Sequence, residues 1–322
     1  MPLVESTYTA PNWLKNPHVN TIFSSKLRKP PKPAYQRERI DTPDDDFLDL
    51  DWSKVGSNHL AILLHGLEGG SGSNYILGLA SYLNNIGIDV LAINFRSCSG
   101  EMNRQLRVYH SGETTDTDYV LSHVEATHSY ENVFLVGFSL GGNVCLKFLG
   151  EQAEKGPSRI KAAVAVSVPV DLGSSSHQLD HGPTVNQIYV LRFILSLNKK
   201  LKIKQQQFPG KIDVGKRLPR TIFDFDNRFT GPLHGFEGAV DYYTRSSSKP
   251  YLSRIQVPTL LINALDDPFL SDKCYPTELA ADHPYLYLET PEMGGHVGFN
   301  PGGRKGFFWS EKRVGEFLAN YL

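Results

Sequence analysis

The sequence predicts an α/β domain in which helices cover both faces of a mostly parallel sheet. Short, continuously apolar segments rich in β-branched residues alternate along the chain with segments whose apolar residues recur at helical spacing. The 322 residues, 40% hydrophobic and 21% charged, are also enough to bury a large core. One interval of about 80 residues breaks the alternation, which predicts a single large domain with a helical insertion.

The predicted elements follow an irregular N-terminal part. Residues 26–46 contain four prolines and the run Asp44-Asp45-Asp46, so we predict extended or loop-like chain there. Strands are predicted at Leu60–Leu64, Asp89–Asn94, Val133–Gly137, Ala162–Val168, Thr259–Asn263 and Tyr285–Glu289. Helices are predicted at Tyr75–Asn85, Glu113–Ala126, Leu140–Gln152 and Glu311–Leu322.

The interval from Leu172 to Leu252 shows no clear strand pattern, but its apolar stretch Ile188–Leu197 has helical character. A structureless loop of that length is uncommon inside an α/β domain. We therefore predict a helical lid inserted after the fourth strand. The domain would then consist of a first core part at 1–171 with an N-terminal extension, the helical lid insertion at 172–252, and a second core part at 253–322.

Composition argues against several classes of protein. The net charge of −1 gives no support to nucleic-acid binding. Three widely spaced cysteines fit free thiols better than disulfides or a zinc site, and we predict no metal and no cofactor. No segment approaches the roughly 18 apolar residues of a membrane span. Because Met1–Ser25 also lacks the pattern of a signal peptide, we expect a cytoplasmic protein, with its oligomeric state left open.

The most informative motif is Gly137-Phe138-Ser139-Leu140-Gly141, which lies between a predicted strand and a predicted helix. In such a nucleophile elbow the serine occupies a strained turn, and small neighbours are needed where side chains would collide. The turn presents the hydroxyl at the carboxyl edge of the sheet. Ser139 is therefore the candidate nucleophile.

A serine nucleophile needs a base and an orienting carboxylate, which follow it in the order acid then histidine in enzymes of this architecture. Asp266 and Asp267 follow one later strand, and His296 lies in a glycine-rich loop after the next. We predict His296 as the base and Asp267 as the acid. Asp266 is equally well explained as a cap of the following turn, and a solvated turn is the alternative for His296.

Stabilisation of an oxyanion requires two hydrogen-bond donors. The amide of Leu140, at the start of the helix after Ser139, is one candidate. The amide of Leu67, in the loop His65-Gly66-Leu67 after the first apolar strand, is the other. We predict that His65 itself braces this loop by hydrogen bonds.

Several runs of residues resemble the YheT-like branch of the α/β-hydrolases, and they cover nearly the whole chain. These runs are Asn16–Ile22, His65–Gly70, Asn94–Arg96, Cys98–Glu101, His110–Glu113, Gly137–Asn143, Pro232–Phe236, Asn263–Phe269 and Gly295–Phe299. The resemblance implies the triad of Ser139, Asp267 and His296, and hydrolysis or alcoholysis of short- to medium-chain acyl esters. Ser97 departs from the family, which often has glycine there, and the N-terminal membrane anchor of some relatives is not visible.

The leading hypothesis is a serine hydrolase that cleaves carboxylic esters, with a small-molecule or lipid-like substrate. An acyltransferase that makes esters, or a phospholipase-type lipid esterase, would use the same triad. His177 and His181 stand four residues apart and could bind a metal, but no third ligand is evident. A binding protein on a hydrolase scaffold is the remaining alternative.

The predicted lid carries both apolar and basic residues. Ile188, Leu191 and Leu195 are predicted to bind the acyl group, because the stretch is more apolar than one helical stripe requires. Nine Lys and Arg residues lie between Arg192 and Arg220. They favour either a weak contact with a membrane surface or an ordinary solvated face.

Overall fold

The computed structural model describes residues 2–154, 156, 158–215 and 217–322. These residues form a nine-stranded sheet in the order β1-β9-β8-β7-β6-β4-β5-β3-β2. The strands are β1 (Leu3–Val4), β2 (Gln36–Thr42), β3 (Asp46–Ser53), β4 (His59–Leu64), β5 (Asp89–Asn94), β6 (Asn132–Phe138), β7 (Ala162–Val166), β8 (Thr259–Ile262) and β9 (Leu286–Glu289). In that order, neighbouring strands from β1 to β5 pair in parallel, whereas β3 pairs antiparallel with both β5 and β2.

Helices pack on both faces of this sheet. They are α1 (Pro17–Lys26), α2 (Asn74–Asn85), α3 (Thr115–Thr127), α4 (Leu140–Gln152), α5 (Leu172–His181), α6 (Asn186–Gln207), α7 (Ile222–Phe225), α8 (Gly231–Leu233), α9 (Ala239–Ser246), α10 (Thr277–Asp282) and α11 (Trp309–Ala319). Alternate residues of β4 enter separate cores, because Ile62 packs with Val144 of α4 and Leu63 packs with Leu79 of α2. The predicted fold class is confirmed, and burial on both faces explains the continuously apolar strands.

The prediction of extended or loop-like chain at residues 26–46 included no strand, but β2 lies within that range. Its charged side chains pair across the antiparallel ladder, with Arg37 opposite Asp51 and Arg39 opposite Asp49. The Nε atoms of these arginines lie 2.8 and 2.7 Å from the facing carboxylates. Cross-strand ion pairs thus replace the apolar pattern from which a strand is normally predicted, and they suit an edge strand.

The chain between β7 and β8 forms the predicted helical insertion. Its described residues contain helices α5 to α9 and no strand. Tyr189, Ile194 and Leu201 of α6 pack with Phe225 and Phe229 in a core that is separate from those of the sheet. In the described part of the chain, no helix combines the length and the apolar character needed to cross a bilayer. Whether the insertion moves as a lid stays a prediction.

Candidate active site

Ser139 lies in a strained turn between β6 and α4. Its backbone angles are φ 53° and ψ −119°, in a region that residues other than glycine rarely adopt. Close packing makes the turn possible: a Cβ on Gly137 would lie 2.3 Å from the Gly141 carbonyl oxygen, and one on Gly141 would lie 2.4 Å from the carbonyl oxygen of Leu64. Glycine is therefore required at both positions, and the serine hydroxyl is held at the carboxyl edge of the sheet.

The structure brings the three predicted triad side chains together. Nε2 of His296 lies 2.9 Å from the Ser139 Oγ, and its Nδ1 lies 2.9 Å from Oδ2 of Asp267. The Asp267 carboxylate is fully covered and also accepts the backbone N–H of Phe269 at 2.9 Å. The Phe269 ring stacks on the imidazole with centroids 3.9 Å apart, so ring and carboxylate together fix the histidine. Sequence reasoning missed the contribution of Phe269.

Asp266 has a different role from its neighbour. Its Oδ1 accepts the backbone N–H of Gly295 at 2.9 Å, so it holds the loop that carries His296. The His296 amide in turn donates to the Thr21 hydroxyl of α1 at 2.8 Å. Burial, together with the negative charge of Asp267, raises the pKa of Asp266 to about 6. The turn-capping alternative for Asp266 is wrong, because the Phe269 amide of the following turn donates to Asp267 and Asp266 binds the Gly295 amide instead.

Two backbone amides at the site have no hydrogen-bond acceptor among the described residues. In the loop after β4, the Gly66 amide donates to the hydroxyl of Tyr75 and the Glu68 amide donates to that of Tyr109. The Leu67 amide between them has no acceptor among the described residues. The Leu140 amide stands at the first position of α4, where no preceding turn supplies a carbonyl. These are the two amides named from the sequence, and their role as oxyanion donors stays a prediction.

His65 braces this loop, as expected for a structural histidine. Its Nδ1 lies 2.7 Å from the Gly66 carbonyl oxygen, and its Nε2 accepts the Phe95 amide at 3.1 Å. Accepting at Nε2 requires a neutral ring that donates through Nδ1. Complete burial agrees with this assignment, because it lowers the pKa of His65 to about 4.

Sequence reasoning missed Glu68, which connects the loop to the helical insertion. Its carboxylate accepts from the Tyr109 hydroxyl at 2.8 Å, from Lys200 Nζ at 2.7 Å and from the hydroxyl of Ser196. Its backbone φ of 54° is positive, so the loop is tightly constrained at the residue after Leu67. Lys200 lies far from Glu68 along the chain. The only sequence signal for this contact is that α6 contains no acidic residue, so any acidic partner of its lysines must come from another element.

Two cavities meet at Ser139 and His296. One, the apolar cavity, has a volume of about 140 Å³ and extends under the insertion. Its apolar walls include Phe193, Leu197, Leu201, Ile222, Phe225 and Phe229. The other, the polar cleft, has a volume of about 640 Å³ and runs between α1, α6 and the loop after β4. Its polar walls include Arg37, Ser71, Asn74, Asn94 and Arg192.

The predicted acyl-binding residues Ile188, Leu191 and Leu195 do not line the apolar cavity. Their side chains are 59%, 58% and 62% exposed, on the outer face of α6. The prediction was wrong about the helix face, because apolar residues occupy most sides of this part of α6. The charge pattern does not distinguish the faces, because Lys199 and Lys202 continue the outer row while Lys200 and Lys204 point inward.

His177 and His181 stack on each other in α5 with ring centroids 4.5 Å apart. They lie in the insertion, and no group of three or more His, Cys, Asp or Glu side chains that could hold a metal occurs in the described residues. The structure therefore gives no support to a metal site at this pair.

An elbow serine at the edge of a parallel sheet, hydrogen-bonded to a histidine that is itself hydrogen-bonded to a carboxylate, is characteristic of the α/β-hydrolases. The chain belongs to this family, since residues 61–301 match the family described as alpha/beta hydrolase fold. It is 35% identical to YheT of Escherichia coli strain K12, which carries the name of an esterase, over 95% of this chain and 91% of that protein. It is 28% identical to phospholipase ABHD3 of Homo sapiens, over 94% and 75% of the two chains.

The fold is also that of solved structures. An esterase of Pyrococcus furiosus, Pf2001, superposes with a TM-score of 0.57 at 18% identity, over 99% of this chain and 98% of that one. The sequence relatives place the chain in the YheT-like branch that its motifs resemble.

Proposed function

We propose that this protein is a serine hydrolase that cleaves carboxylic esters with short- to medium-chain acyl groups through an acyl-enzyme. The observation that carries the proposal is the hydrogen-bonded chain from Ser139 through His296 to Asp267, placed where an apolar cavity and a polar cleft meet. An ester has an apolar acyl part and a more polar alcohol part, so the two cavities match its two halves. The esterase and phospholipase names of the relatives support the same reaction class.

In the first half-reaction the Ser139 oxygen attacks the ester carbonyl while its proton passes to Nε2 of His296. Asp267 keeps the imidazole oriented and stabilises its positive charge. The free amides of Leu67 and Leu140 donate to the oxygen that becomes negative. His296 then gives the proton to the departing alcohol. In the second half-reaction His296 activates a water, which releases the acid and restores Ser139.

The apolar cavity sets the expected acyl length. A dry cavity near 150 Å³ holds about a benzene-sized apolar group, and the apolar cavity has a similar volume of about 140 Å³. Each buried methylene contributes about 0.8 kcal/mol, or about fourfold in kcat/KM. Specificity should therefore rise from acetyl esters to chains of about six carbons and then level off or fall.

Hydrolysis of p-nitrophenyl esters of two to sixteen carbons, with Ser139→Ala as the inactive control, tests the proposal. A matched pair of variants on α6 locates the acyl group: Leu197 faces the apolar cavity and Leu195 faces solvent. Leu197→Trp should shift the optimum to shorter chains, whereas Leu195→Trp should leave it unchanged. A highest kcat/KM for acetyl esters, or equal effects of the two variants, would contradict the assignment.

The acyltransferase alternative uses the same triad and differs only in which molecule accepts the acyl group. Product analysis with added ethanol distinguishes the two. Free acid as the main product supports the hydrolase, and ethyl ester formed in preference to acid at modest ethanol concentration supports the transferase.

A further inference from the structure

The outer surface of α6 combines exposed apolar and basic side chains. Ile188, Leu191 and Leu195 form one exposed row along this helix, and Lys199 and Lys202 continue the row. The helix contains five basic residues and no acidic one. Exposed apolar residues in a row on one helix are unusual on a surface that meets only water.

Helix α1 extends this surface. Its exposed row consists of Val19, Ile22 and Lys26, and the helix has no acidic residue. The two helices are adjacent, because His18 Nδ1 lies 3.1 Å from the Tyr189 hydroxyl. We call the exposed rows of α1 and α6, together with the exposed Arg192, the α1–α6 face.

The positive charges of this face are not neutralised within the protein. Lys26, Arg192, Lys199 and Lys202 form no ion pair with any described residue. The nearby Arg192 charge, followed by burial, lowers the pKa of Lys26, as expected for neighbouring cations. By contrast, Lys200 binds Glu68 and Lys204 binds two backbone carbonyls, so both point inward. Lys216 lies outside the described residues.

We propose that the α1–α6 face docks on an anionic membrane surface. An anionic bilayer supplies both phosphate charges for the unpaired cations and an apolar layer for the exposed Ile, Leu and Val side chains. A second copy of the same face would instead bring like charges together. Arg192 also lines the polar cleft that leads to Ser139, so docking would place the entrance of the cleft against the bilayer, where lipid-like esters collect.

The test is co-sedimentation of the full chain with vesicles of phosphatidylglycerol and phosphatidylcholine in equal parts, compared with vesicles of phosphatidylcholine alone. Binding is expected to the anionic vesicles at low salt and to be lost at high salt, as the Debye length falls from about 30 Å at 0.01 M to about 3 Å at 1 M. Lys199→Gln with Lys202→Gln should weaken binding by about fivefold for each charge removed. Leu191→Ser with Leu195→Ser should weaken it by about tenfold or more.

Matched control residues lie near the amino ends of the strands, at the end of the sheet opposite to Ser139. Val55→Ser and Lys161→Gln change exposed residues just before β4 and β7 and should leave vesicle binding unchanged. Turnover of a water-soluble acetyl ester shows that each variant is folded, and vesicle binding is measured independently of it. No binding to anionic vesicles at low salt, or equal losses in the controls, would overturn the proposal. So would a change of oligomeric state in the α6 variants with vesicle binding unchanged, because the face would then join protein subunits.

Discussion

Asp226 lies in the wall of the apolar cavity, where a negative charge is costly. Its Oδ2 accepts a hydrogen bond from the Tyr243 hydroxyl at 2.7 Å, and it forms no ion pair with any described residue. Burial, with a smaller contribution from Asp180, raises the pKa of Asp226 to about 6. We therefore predict that Asp226→Asn stabilises the protein at neutral pH.

The magnitude follows from the two pKa values. A rise from 3.8 to about 6 in the folded state corresponds to about 3 kcal/mol lost when the carboxyl is ionised. The folded chain holds the proton more tightly than the unfolded chain, so this cost is absent below about pH 4, grows as pH rises and is complete above about pH 6. Water that enters the cavity screens part of the charge, and we expect about 1–3 kcal/mol at pH 7.

Urea unfolding of the wild type and Asp226→Asn at about pH 4 and about pH 7 measures this difference. Rearranged hydrogen bonds in the variant add an offset that does not depend on pH, so only the pH dependence is diagnostic. The advantage of the variant should grow by about 1–2 kcal/mol from the lower to the higher pH. A difference that is the same at both pH values would refute the argument that this carboxylate is destabilised by burial.

Three further predictions concern the site. Asp267→Asn should lower kcat/KM for ester hydrolysis by roughly 10³-fold or more, and Asp266→Asn by about tenfold or less, because Asp266 contacts only the loop that carries His296. A larger loss in Asp266→Asn than in Asp267→Asn would contradict the assignment. Glu68→Gln should lower kcat by roughly 10- to 100-fold with little change in KM, because it loosens the loop that carries the proposed oxyanion donor Leu67. An unchanged kcat would show that the contact between Glu68 and α6 is only structural. In urea unfolding, Gly141→Ala should lower the free energy of unfolding by about 3 kcal/mol or more, because its Cβ would lie 2.4 Å from a carbonyl oxygen of β4. The control Gly72→Ala, with open space around its Cβ, should change the free energy of unfolding little.

The parallel core could be predicted from sequence because each strand there is buried on both faces, which leaves a continuous apolar run. The edge strand β2 could not, since its stabilising partners are Asp49 and Asp51 on another strand, and charged residues carry no local strand pattern. The grouping of Ser139, Asp267 and His296 was predictable for the same local reason. Each of the three follows an apolar strand, and parallel strands bring such loops to one edge.

The walls of the cavities could not be predicted in the same way. Around Leu195 apolar residues occupy most of the circumference of α6, interrupted at Arg192 and Ser196, so helical spacing alone cannot separate the cavity side from the solvent side. The contact of Glu68 with Lys200 joins positions 132 residues apart and depends on how the insertion packs over the loop. Such contacts are set by tertiary packing rather than by local pattern.

The proposed function requires that Ser139 forms a covalent acyl-enzyme. The most direct measurement is mass spectrometry of the full chain after brief treatment with a fluorophosphonate, with the modified peptide sequenced and ester hydrolysis measured in parallel. We predict one adduct on Ser139, no adduct on Ser139→Ala, much slower labelling of His296→Ala, and activity reduced by roughly 10³-fold or more in both variants. Full ester hydrolysis by Ser139→Ala, or an adduct on a different residue that abolishes activity, would contradict the proposed function.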